Sequence, residues 1–301
     1  MPDKKYCILG LGEILWDLLP QGKQLGGAPS NFAYCSNLLG DRGVAASRLG
    51  NDELGKEAAQ KLAGLGVETS FLQADSAHPT GTVNVSVDSK GEPAFEITPS
   101  VAWDFLEWEA SWQSLAQEAD AVCFGTLAQR APGSRETIRK FLRSVRPGAV
   151  RIFDVNLRQS FYSAEILAQS LQLAEILKLN HEELPRVAKL LDLPENGGEE
   201  VTARRLMQAH GLRLVCVTRG GRGSILISEN GVDEHAGFPV RVLDTVGAGD
   251  AFTAALGHHF LRGASLARMN EAANRLGAWV ASQAGATPPA DKEILEAVRS
   301  G

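Results

Sequence analysis

The sequence predicts an α/β fold in which a mostly parallel sheet carries helices on both of its faces. Short apolar runs alternate with longer runs rich in Ala, Leu, Glu and Arg for most of the chain, which is the pattern of strands joined by crossover helices. Hydrophobic residues make up 44% of the chain and charged residues 22%, an ordinary globular composition. A length of 301 residues fits one large α/β domain with at most a small appendage.

The individual elements follow from composition and spacing. Candidate strands are residues 6–12, 43–49, 121–126, 150–156, 176–180 and 213–218. Candidate helices are residues 53–64, 134–146, 163–175 and 199–210, with two further Ala-rich helices within residues 247–283. Because several of these helices lie between consecutive strands, the strands are expected to run parallel.

Two segments depart from this alternation and predict a separate small sheet. Residues 80–97 alternate apolar and polar side chains around the turn SKGE, and residues 13–25 look extended with a turn of their own. Together they are expected to project from the main body. A second hairpin is expected at 223–238, with the dipeptide NG as its turn.

Charge and composition argue against several classes of protein. The formal net charge is −6 without a compensating basic block, so no nucleic-acid partner is expected. No run approaches the roughly 20 apolar residues that span a bilayer, and the apolar N-terminus carries Glu13 and Asp17, unlike a cleaved signal. A soluble, cytoplasmic protein without a membrane partner is therefore expected. The cysteines are expected to be reduced and buried; they are Cys7, Cys35, Cys123 and Cys216.

Two near-matches to nucleotide-binding motifs do not predict the function. The segment GNDELGKE at 50–57 has P-loop spacing, but Glu57 stands where that loop needs a Ser or Thr hydroxyl for Mg²⁺. This segment is interpreted as a turn followed by the start of a helix. The segment GLGEIL at 10–15 has Leu15 in place of the third glycine of a dinucleotide fingerprint, and an extended segment follows it.

The segment DTVGAGDAFTAAL at 244–256 is the most informative in the chain. Gly247 and Gly249 permit a tight backbone turn, and the residues after them favour a helix. Such a turn directs free N–H groups and the positive end of the helix dipole at one point, which forms an anion hole. Asp250 then lies in the first helical turn, either as an ordinary helix cap or as the proton acceptor for phosphoryl transfer to an alcohol.

Over essentially its whole length the chain resembles the ribokinase, or PfkB, family of carbohydrate kinases. LGGAPSNFAYCSNLLG at 25–40 resembles the first signature of the family, and DTVGAGDAFTAAL resembles the second. The segments DVNLR (154–158), KLNHEEL (178–184) and VTRGGRGSIL (217–226) follow in the expected order. GEILWDLLP, LGGAPSN and FGTLAQR are most similar to the fructokinase branch.

The resemblance implies a ribokinase-like, three-layer α/β sandwich. Residues 1–301 would form one domain, with a small β-sheet lid inserted from about 13–25 and 79–105. The lid is expected to close over the sugar and exclude water, which would otherwise compete as phosphoryl acceptor. Exposed edges of the lid can also pair between chains, so a homodimer is an alternative to a monomer.

The resemblance also implies a catalytic group. Asp250 would be the base that takes the proton of the acceptor hydroxyl, and the amides of Gly247, Ala248 and Gly249 would hold the charge that develops on the transferred phosphoryl group. Arg158 is placed to meet phosphate, with a structural salt bridge as its alternative role.

Sugar-binding groups are implied near the first signature and in FGTLAQR. Asp17 and Asn31 would supply polar contacts, while Gly26 and Gly27 would let the backbone approach the substrate closely. The alternatives are a turn residue for Asp17 and a helix cap for Asn31. Arg130 corresponds to a sugar contact of fructokinase-like members, with a solvated arginine at a helix start as the alternative.

Nucleotide and metal residues are implied in the later motifs. Asn180 and Glu183 match the N-x-x-E element, which acts on Mg²⁺ largely through water; a solvated first helical turn is the alternative for Glu183. Further nucleotide contacts are implied at Thr218, Gly220, Gly223 and Asn274. Many relatives hold an activating monovalent cation at the positions of Asp244 and Val246. ATP and Mg²⁺ are thus the implied cofactors, and K⁺ is left open.

The implied activity is transfer of the γ-phosphate of ATP to a hydroxyl of a small carbohydrate, with fructose as the first candidate. One alternative is a kinase of the same family for 2-keto-3-deoxygluconate, ribose or a nucleoside. Another is a non-catalytic sensor of sugar or nucleotide on the same scaffold. The intact GAGD segment disfavours the sensor, because such proteins usually arise by loss of the base or of the anion hole.

Overall fold

The elements are defined by a computed structural model that describes residues 4–20, 22–87, 93–194 and 196–300. The strands within these residues are β1 (Cys7–Leu11), β2 (Leu15–Leu19), β3 (Gly22–Gly26), β4 (Arg42–Gly50), β5 (Leu72–Asp75), β6 (Gly81–Val87), β7 (Pro93–Ile97), β8 (Ala121–Phe124), β9 (Val150–Asp154), β10 (Ile176–Asn180), β11 (Leu214–Thr218), β12 (Ser224–Ser228) and β13 (Gly231–His235). The helices are α1 (Ala28–Leu38), α2 (Glu53–Gly64), α3 (Ala110–Glu118), α4 (Pro132–Ser144), α5 (Ala164–Leu171), α6 (Glu183–Leu190), α7 (Gly198–His210), α8 (Ala248–Leu261), α9 (Leu266–Ala281) and α10 (Lys292–Arg299).

The large sheet has the strand order β13-β12-β11-β10-β9-β8-β1-β4-β5. The strands from β11 to β5 are parallel, and β12 and β13 form an antiparallel hairpin at one edge. Along the chain, β4 and β5 are added to β1 on one side of the sheet. The strands from β8 onward are added on the other side of β1. The order therefore reverses between β1 and β8, which is where open α/β sheets bind ligands at the carboxyl ends of their strands.

Helices cover both faces of this sheet, which explains why its strands are continuous apolar runs. Side chains of a strand alternate between faces, so Leu9 and Leu11 of β1 pack with the layer of α3 to α7, whereas Ile8 packs with the layer of α1, α2, α8, α9 and α10. Trp112 of α3 and Phe141 of α4 are fully buried in the first layer. This arrangement confirms the predicted three-layer fold.

The small sheet has the order β3-β2-β6-β7 and is built from the two segments that the sequence set apart. The predicted SKGE turn lies outside the described residues. Trp16 of β2 joins this sheet to the main body: its side chain is buried, and its indole N–H donates to the carbonyl of Leu54 in α2 at 3.0 Å.

The structure differs from the predicted elements in a few places. The edge strand β5 was missed, because the sequence LQAD is short and only every second residue of it is buried. The helix predicted at 163–175 ends at Leu171. The predicted hairpin at 223–238 is formed by β12 and β13, but Ser228 pairs with Gly231, so the two turn residues are Glu229 and Asn230. Gly231 therefore begins a strand and is not part of the turn.

The structure bears on the predicted cysteines and on membrane-spanning helices. All four cysteines are free and buried, as predicted, and burial raises the pKa of Cys7 to about 11. No helix in the described part of the chain is long and apolar enough to cross a bilayer. The cytoplasmic location stays a prediction.

Candidate active site

Residues from three strand ends and one helix start meet at the switch point between β1 and β8. Glu13 follows β1, Gly125 follows β8, Asp154 ends β9, and Asp250 lies in the first turn of α8; together they line one cleft. The carboxyl ends of parallel strands share one edge of a sheet, so the topology itself collects these residues.

The turn that begins α8 depends on its two glycines. Gly247 has a φ of 80°, a left-handed conformation that glycine adopts at little cost. A Cβ at Gly247 would lie 2.5 Å from the Cβ of Ala286, and one at Gly249 would lie 3.1 Å from Nζ of Lys178. Among the described residues the amide of Ala248 makes a long bond of 3.3 Å within the turn, and the amides of Gly247 and Gly249 make none. This end of α8 can therefore receive an anion.

The carboxylate of Asp250 accepts a hydrogen bond and has a raised pKa. Its Oδ2 accepts a hydrogen bond from Nδ2 of Asn31 in α1 at 2.8 Å. Burial raises the pKa of Asp250 to about 6; repulsion from Asp154 adds to the rise, and the bond from Asn31 opposes it. A carboxylate with a pKa near the working pH is suited to accept a proton.

A buried ion pair lies directly beneath the glycine turn. Nζ of Lys178 in β10 is 2.9 and 3.0 Å from the two carboxylate oxygens of Asp154 in β9. The hydroxyl of Thr253 in α8 is 3.0 Å from the same carboxylate and 2.8 Å from the carbonyl of Gly249. These bonds tie two strands to the first turn of α8 and so hold the turn in position.

A family model confirms what this geometry suggests. The model described as pfkB family carbohydrate kinase matches residues 21–293. This chain belongs to the pfkB family of carbohydrate kinases.

The most similar proteins include several fructokinases. A fructokinase of Salmonella typhimurium is 33% identical over 258 residues, which cover 82% of this chain and 81% of that protein. A fructokinase of Xylella fastidiosa with bound ATP superimposes with a TM-score of 0.83 at 25% identity, covering 99% of this chain and 100% of its own. A double mutant of Vibrio cholerae fructokinase with fructose, ADP and potassium gives a TM-score of 0.83 at 26% identity and covers 100% of both chains.

In this pfkB-family chain the residues implied for sugar binding surround the β3–α1 junction. A Cβ at Gly26 would lie 2.6 Å from Oδ2 of Asp17, and one at Gly27 would lie 2.5 Å from the carbonyl oxygen of Glu13. Gly27, which has a φ of 111°, is therefore needed where the junction passes over the backbone of Glu13, whereas the atoms nearest to Gly26 belong to side chains. Asp17 lies within β2, and Asn31 is inside α1, which Gly27 caps. The alternative roles of Asp17 as a turn residue and of Asn31 as a helix cap are thus wrong.

Arg130 is buried and not solvated, so the alternative role considered for it is also wrong. Its side chain is 8% exposed, and Nε and Nη2 each donate to one carboxylate oxygen of Asp104 at 2.7 Å. Nη2 also donates to the carbonyl of Thr98 at 2.7 Å, and the guanidinium lies 4.0 Å from the ring centroid of Trp103. These contacts hold the segment after β7 against the main body.

The N-x-x-E residues lie at the end of β10 in a closed network. Asn180 pairs in register with Thr218 at the end of β11. Glu183 is 6% exposed, and its two carboxylate oxygens accept the amides of Leu157 and Asn180 at 2.8 Å each. A solvated role for Glu183 is therefore wrong. Arg158 is exposed and forms no ion pair within the described parts of the chain, which removes its alternative as a structural salt bridge.

The remaining nucleotide residues cluster after β11. Gly220 and Gly223 have φ values of 59° and 79°, and a Cβ at Gly223 would lie 1.8 Å from the carbonyl oxygen of His235. Asn274 of α9 is buried, and its Nδ2 donates to Oγ of Ser224 at 2.8 Å. Asn274 therefore lies next to the strand that follows this glycine turn.

Asp244 connects two loops beside the start of α8. Its Oδ1 accepts the amide of Val246 at 3.0 Å, and its Oδ2 accepts the amide of Gly285 at 3.2 Å. Within the described residues no group of three or more His, Cys, Asp or Glu side chains is arranged to hold a metal ion.

Sequence reasoning missed three charged residues that line the cleft or lie directly beneath it. Glu13, Asp154 and Lys178 were not assigned roles, yet they are 3%, 4% and 7% exposed. Each follows or interrupts a continuous apolar run of strand residues. Charged side chains are almost never fully buried unless they are paired or functional, so their position within these runs was the available signal.

Proposed function

We propose that this chain is an ATP-dependent kinase that transfers the γ-phosphate of ATP to a hydroxyl of fructose. The observation that carries this proposal is that one cleft brings together the carboxylate of Asp250 and the glycine turn of α8. A proton acceptor and an anion-binding helix start are the two requirements for phosphoryl transfer to an alcohol. The fructokinases among its relatives support fructose as the acceptor.

Each group of the cleft has a role in this reaction. Asp250 takes the proton of the acceptor hydroxyl while the new O–P bond forms and the bond from the γ-phosphorus to ADP breaks. Asn31 holds the carboxylate of Asp250 in place. The amides of Gly247, Ala248 and Gly249 neutralise the charge that develops on the transferred phosphoryl group.

The nucleotide occupies the neighbouring strand ends in this proposal. Its phosphates meet the exposed Arg158, and the phosphate and ribose groups contact Thr218, Gly220 and Gly223, with Asn274 on the adenine side. ATP is bound in the Xylella fastidiosa fructokinase, which supports ATP as the donor.

Asn180 and Glu183 are proposed to hold Mg²⁺ through water. Both carboxylate oxygens of Glu183 already accept backbone amides, so the donor set fits an ion that keeps several of its own waters. When bound, Mg²⁺ neutralises charge on the phosphates. A chelator should therefore abolish turnover, and added Mg²⁺ should restore it.

Asp244 and Val246 are proposed to hold K⁺. A carboxylate and backbone carbonyls are oxygen ligands of the type that such ions bind, and the Vibrio cholerae fructokinase was solved with potassium. Replacing K⁺ by a large organic cation should lower kcat, and equal rates in both salts would exclude this site.

Asp17, Asn31 and Arg130 are proposed to contact the sugar under the small sheet, which closes as a lid. Closure should reduce the radius of gyration in small-angle scattering when sugar and a non-hydrolysable ATP analogue are both present. Identical curves with and without ligands would contradict closure, and the same curves report whether the chain is a homodimer.

An acceptor panel with coupled ADP detection tests the function. Fructose should give the highest kcat/KM among fructose, 2-keto-3-deoxygluconate, ribose and a nucleoside. A higher value for another acceptor would overturn fructose and keep the kinase. Sugar or ATP binding without any release of ADP would instead identify a sensor.

A further inference from the structure

Glu13 is a buried carboxyl group without a hydrogen-bond partner at one of its oxygens. It follows β1, is 3% exposed, and its Oε2 has no partner among the described residues. A buried carboxylate that lacks a donor is costly, so such a group either keeps its proton or faces a ligand. Glu13 lies in the active-site cleft and is therefore in a position to affect the reaction.

Three carboxyl groups share a very small space in this cleft. Glu13, Asp154 and Asp250, with Thr253, line a cavity of about 10 Å³, which is room for about one water molecule. Nζ of Lys178 lies beneath them, and it is bound by Asp154. If all three carboxyl groups were ionised, the charge of the buried Glu13 would lack a buried counter-ion, whereas Asp250 is only half-buried and can be partly solvated.

Other charged or titratable groups near the cleft do not supply a buried counter-ion for Glu13. Arg158 lies on the loop after β9, and its side chain is exposed to solvent. Cys123 of β8 also lines the cleft, and burial raises the pKa of its thiol well above the usual value, so it stays neutral. The protonated form of one carboxyl group is therefore favoured.

Hydrogen bonds and burial together identify which carboxyl group keeps the proton. Asp154 is bound by Lys178 and by the hydroxyl of Thr253, and Asp250 accepts from Asn31. The backbone amides of Glu13 itself and of Ala28 lower the pKa of Glu13, but its Oε2 has no partner among the described residues, and Glu13 is 3% exposed whereas Asp250 is only half-buried. Burial disfavours the ionised form of a carboxyl group, and donors or solvent stabilise it, so Glu13, with deeper burial and an unpartnered oxygen, is the group that stays protonated.

We propose that Glu13 is a positioning residue that holds one proton beside Asp250 and thereby leaves Asp250 ionised as the base. The inference rests on the proposed function for the role of Asp250. Burial raises the pKa of Glu13 to about 7, and the charge of Asp250 adds to the rise; the backbone amides of Glu13 and Ala28 and the guanidinium of Arg158 oppose it. The pKa of Asp250 is also raised, to about 6.

A bell-shaped pH profile follows from this pair. At low pH both groups carry protons and Asp250 cannot accept another. At high pH both groups are ionised, and two adjacent carboxylates face the incoming phosphates, which weakens phosphate binding. The acidic limb of kcat/KM thus belongs to Asp250 and the alkaline limb to Glu13.

The Glu13→Gln variant tests this assignment, because glutamine resembles the protonated acid and cannot ionise. The parental kcat/KM should fall roughly tenfold or more between pH about 7 and about 9. The variant should keep the acidic limb and lose this decline. Glu229→Gln, in the exposed turn between β12 and β13, is the matched control and should keep both limbs. An alkaline limb that is unchanged in Glu13→Gln would overturn the proposal.

A measurement on the ligand-free parental protein is independent of turnover and of the folding of any variant. The carbon-13 shift of the Glu13 carboxyl group, assigned through its backbone, should titrate with a midpoint near 7. A midpoint below about 5, close to the ordinary value for glutamate, would overturn the proposal even if the kinase is active. A midpoint near 7 without turnover of any acceptor would uphold proton retention and overturn only the proposed function.

Discussion

Carboxyl groups at the two ends of the large sheet have opposite surroundings. At the amino ends of the strands, Asp41, Asp120 and Glu175 precede β4, β8 and β10, and each is bound by cations. At the carboxyl ends, Glu13 and Asp250 have fewer donors, and the pKa of each is raised. The comparison teaches that these three carboxyl groups at the amino ends are held by cations, whereas the two that carry the proposed proton chemistry are not.

Asp41 is the clearest case at the structural end. It is 0% exposed, and its two oxygens lie 2.6 Å from Nδ1 of His258 and 2.8 Å from Nη2 of Arg262. Burial alone would raise the pKa of Asp41, but the hydrogen bonds from His258 and Arg262 lower it overall. The helix α8 carries His258 near its end and Asp250 at its start, so one element serves both ends of the sheet.

The largest expected effect is on catalysis at the functional end. Asp250→Asn removes the proton acceptor and keeps the shape of the side chain, so kcat should fall at least about a hundredfold. Coupled ADP detection measures the rate, and thermal unfolding should show an intact fold. Turnover at the parental rate in the folded variant would remove Asp250 from the mechanism.

The next effect is on stability at the structural end. Asp41→Asn leaves Arg262 without its buried partner, and breaking such pairs costs about 3–5 kcal/mol; we expect the lower end because Arg262 is 23% exposed. Urea unfolding measures the loss, while kcat of the folded fraction stays within about twofold of the parent. A loss below about 1 kcal/mol would show that this pairing contributes little.

The pH dependence of stability should have opposite signs at the two ends. The pKa of Asp41 is lowered on folding, so its contribution is present above the unfolded value of about 3.9 and is lost as the pH falls through the folded value. The pKa of Glu13 is raised, so its contribution is present below the unfolded value and is lost as the pH rises toward about 7.

Glu13→Gln should therefore stabilise the protein at alkaline pH, by roughly 1–2 kcal/mol at pH about 8.5. The gain arises because the variant no longer buries an uncompensated charge. Urea unfolding at pH about 5 and about 8.5 measures it, and the gain should disappear at the lower pH. A variant that is less stable than the parent at pH about 8.5 would mean that Glu13 is a paired, structural carboxyl group like Asp41.

The smallest expected effect is the difference between alanine variants at two glycines of α8. Gly249→Ala would bring a Cβ to 3.1 Å from Nζ of Lys178, and Gly257→Ala would bring one to 3.0 Å from Cδ1 of Ile152. The first displaces the anion-binding turn, so kcat should fall roughly three- to tenfold. The second strains only packing, so it should lower the melting temperature and leave kcat unchanged. Equal kcat values in both variants would show that the turn tolerates this shift.

Local patterns predicted much of the fold and part of the site. The start of α8 and the whole of β10 were predicted because glycine placement, helix composition and apolar runs act over a few neighbouring residues. The strand β5 was missed because it pairs with β4 through tertiary contacts and has little apolar pattern of its own. Glu183 was assigned from the N-x-x-E element, whereas its bond to the amide of Leu157 depends on a loop from another strand.

By itself the sequence determined the α/β class, the glycine turn of α8, the buried cysteines and the resemblance to the pfkB family, because each depends on residues adjacent in the chain. Only the tertiary structure decided that Glu13, Asp154 and Asp250 share one cleft and that Arg130 is bound to Asp104. These facts depend on which strand ends become neighbours and on which donors reach each carboxyl group. The charge of a buried group is set by that environment, and the environment is assembled from residues far apart in the chain.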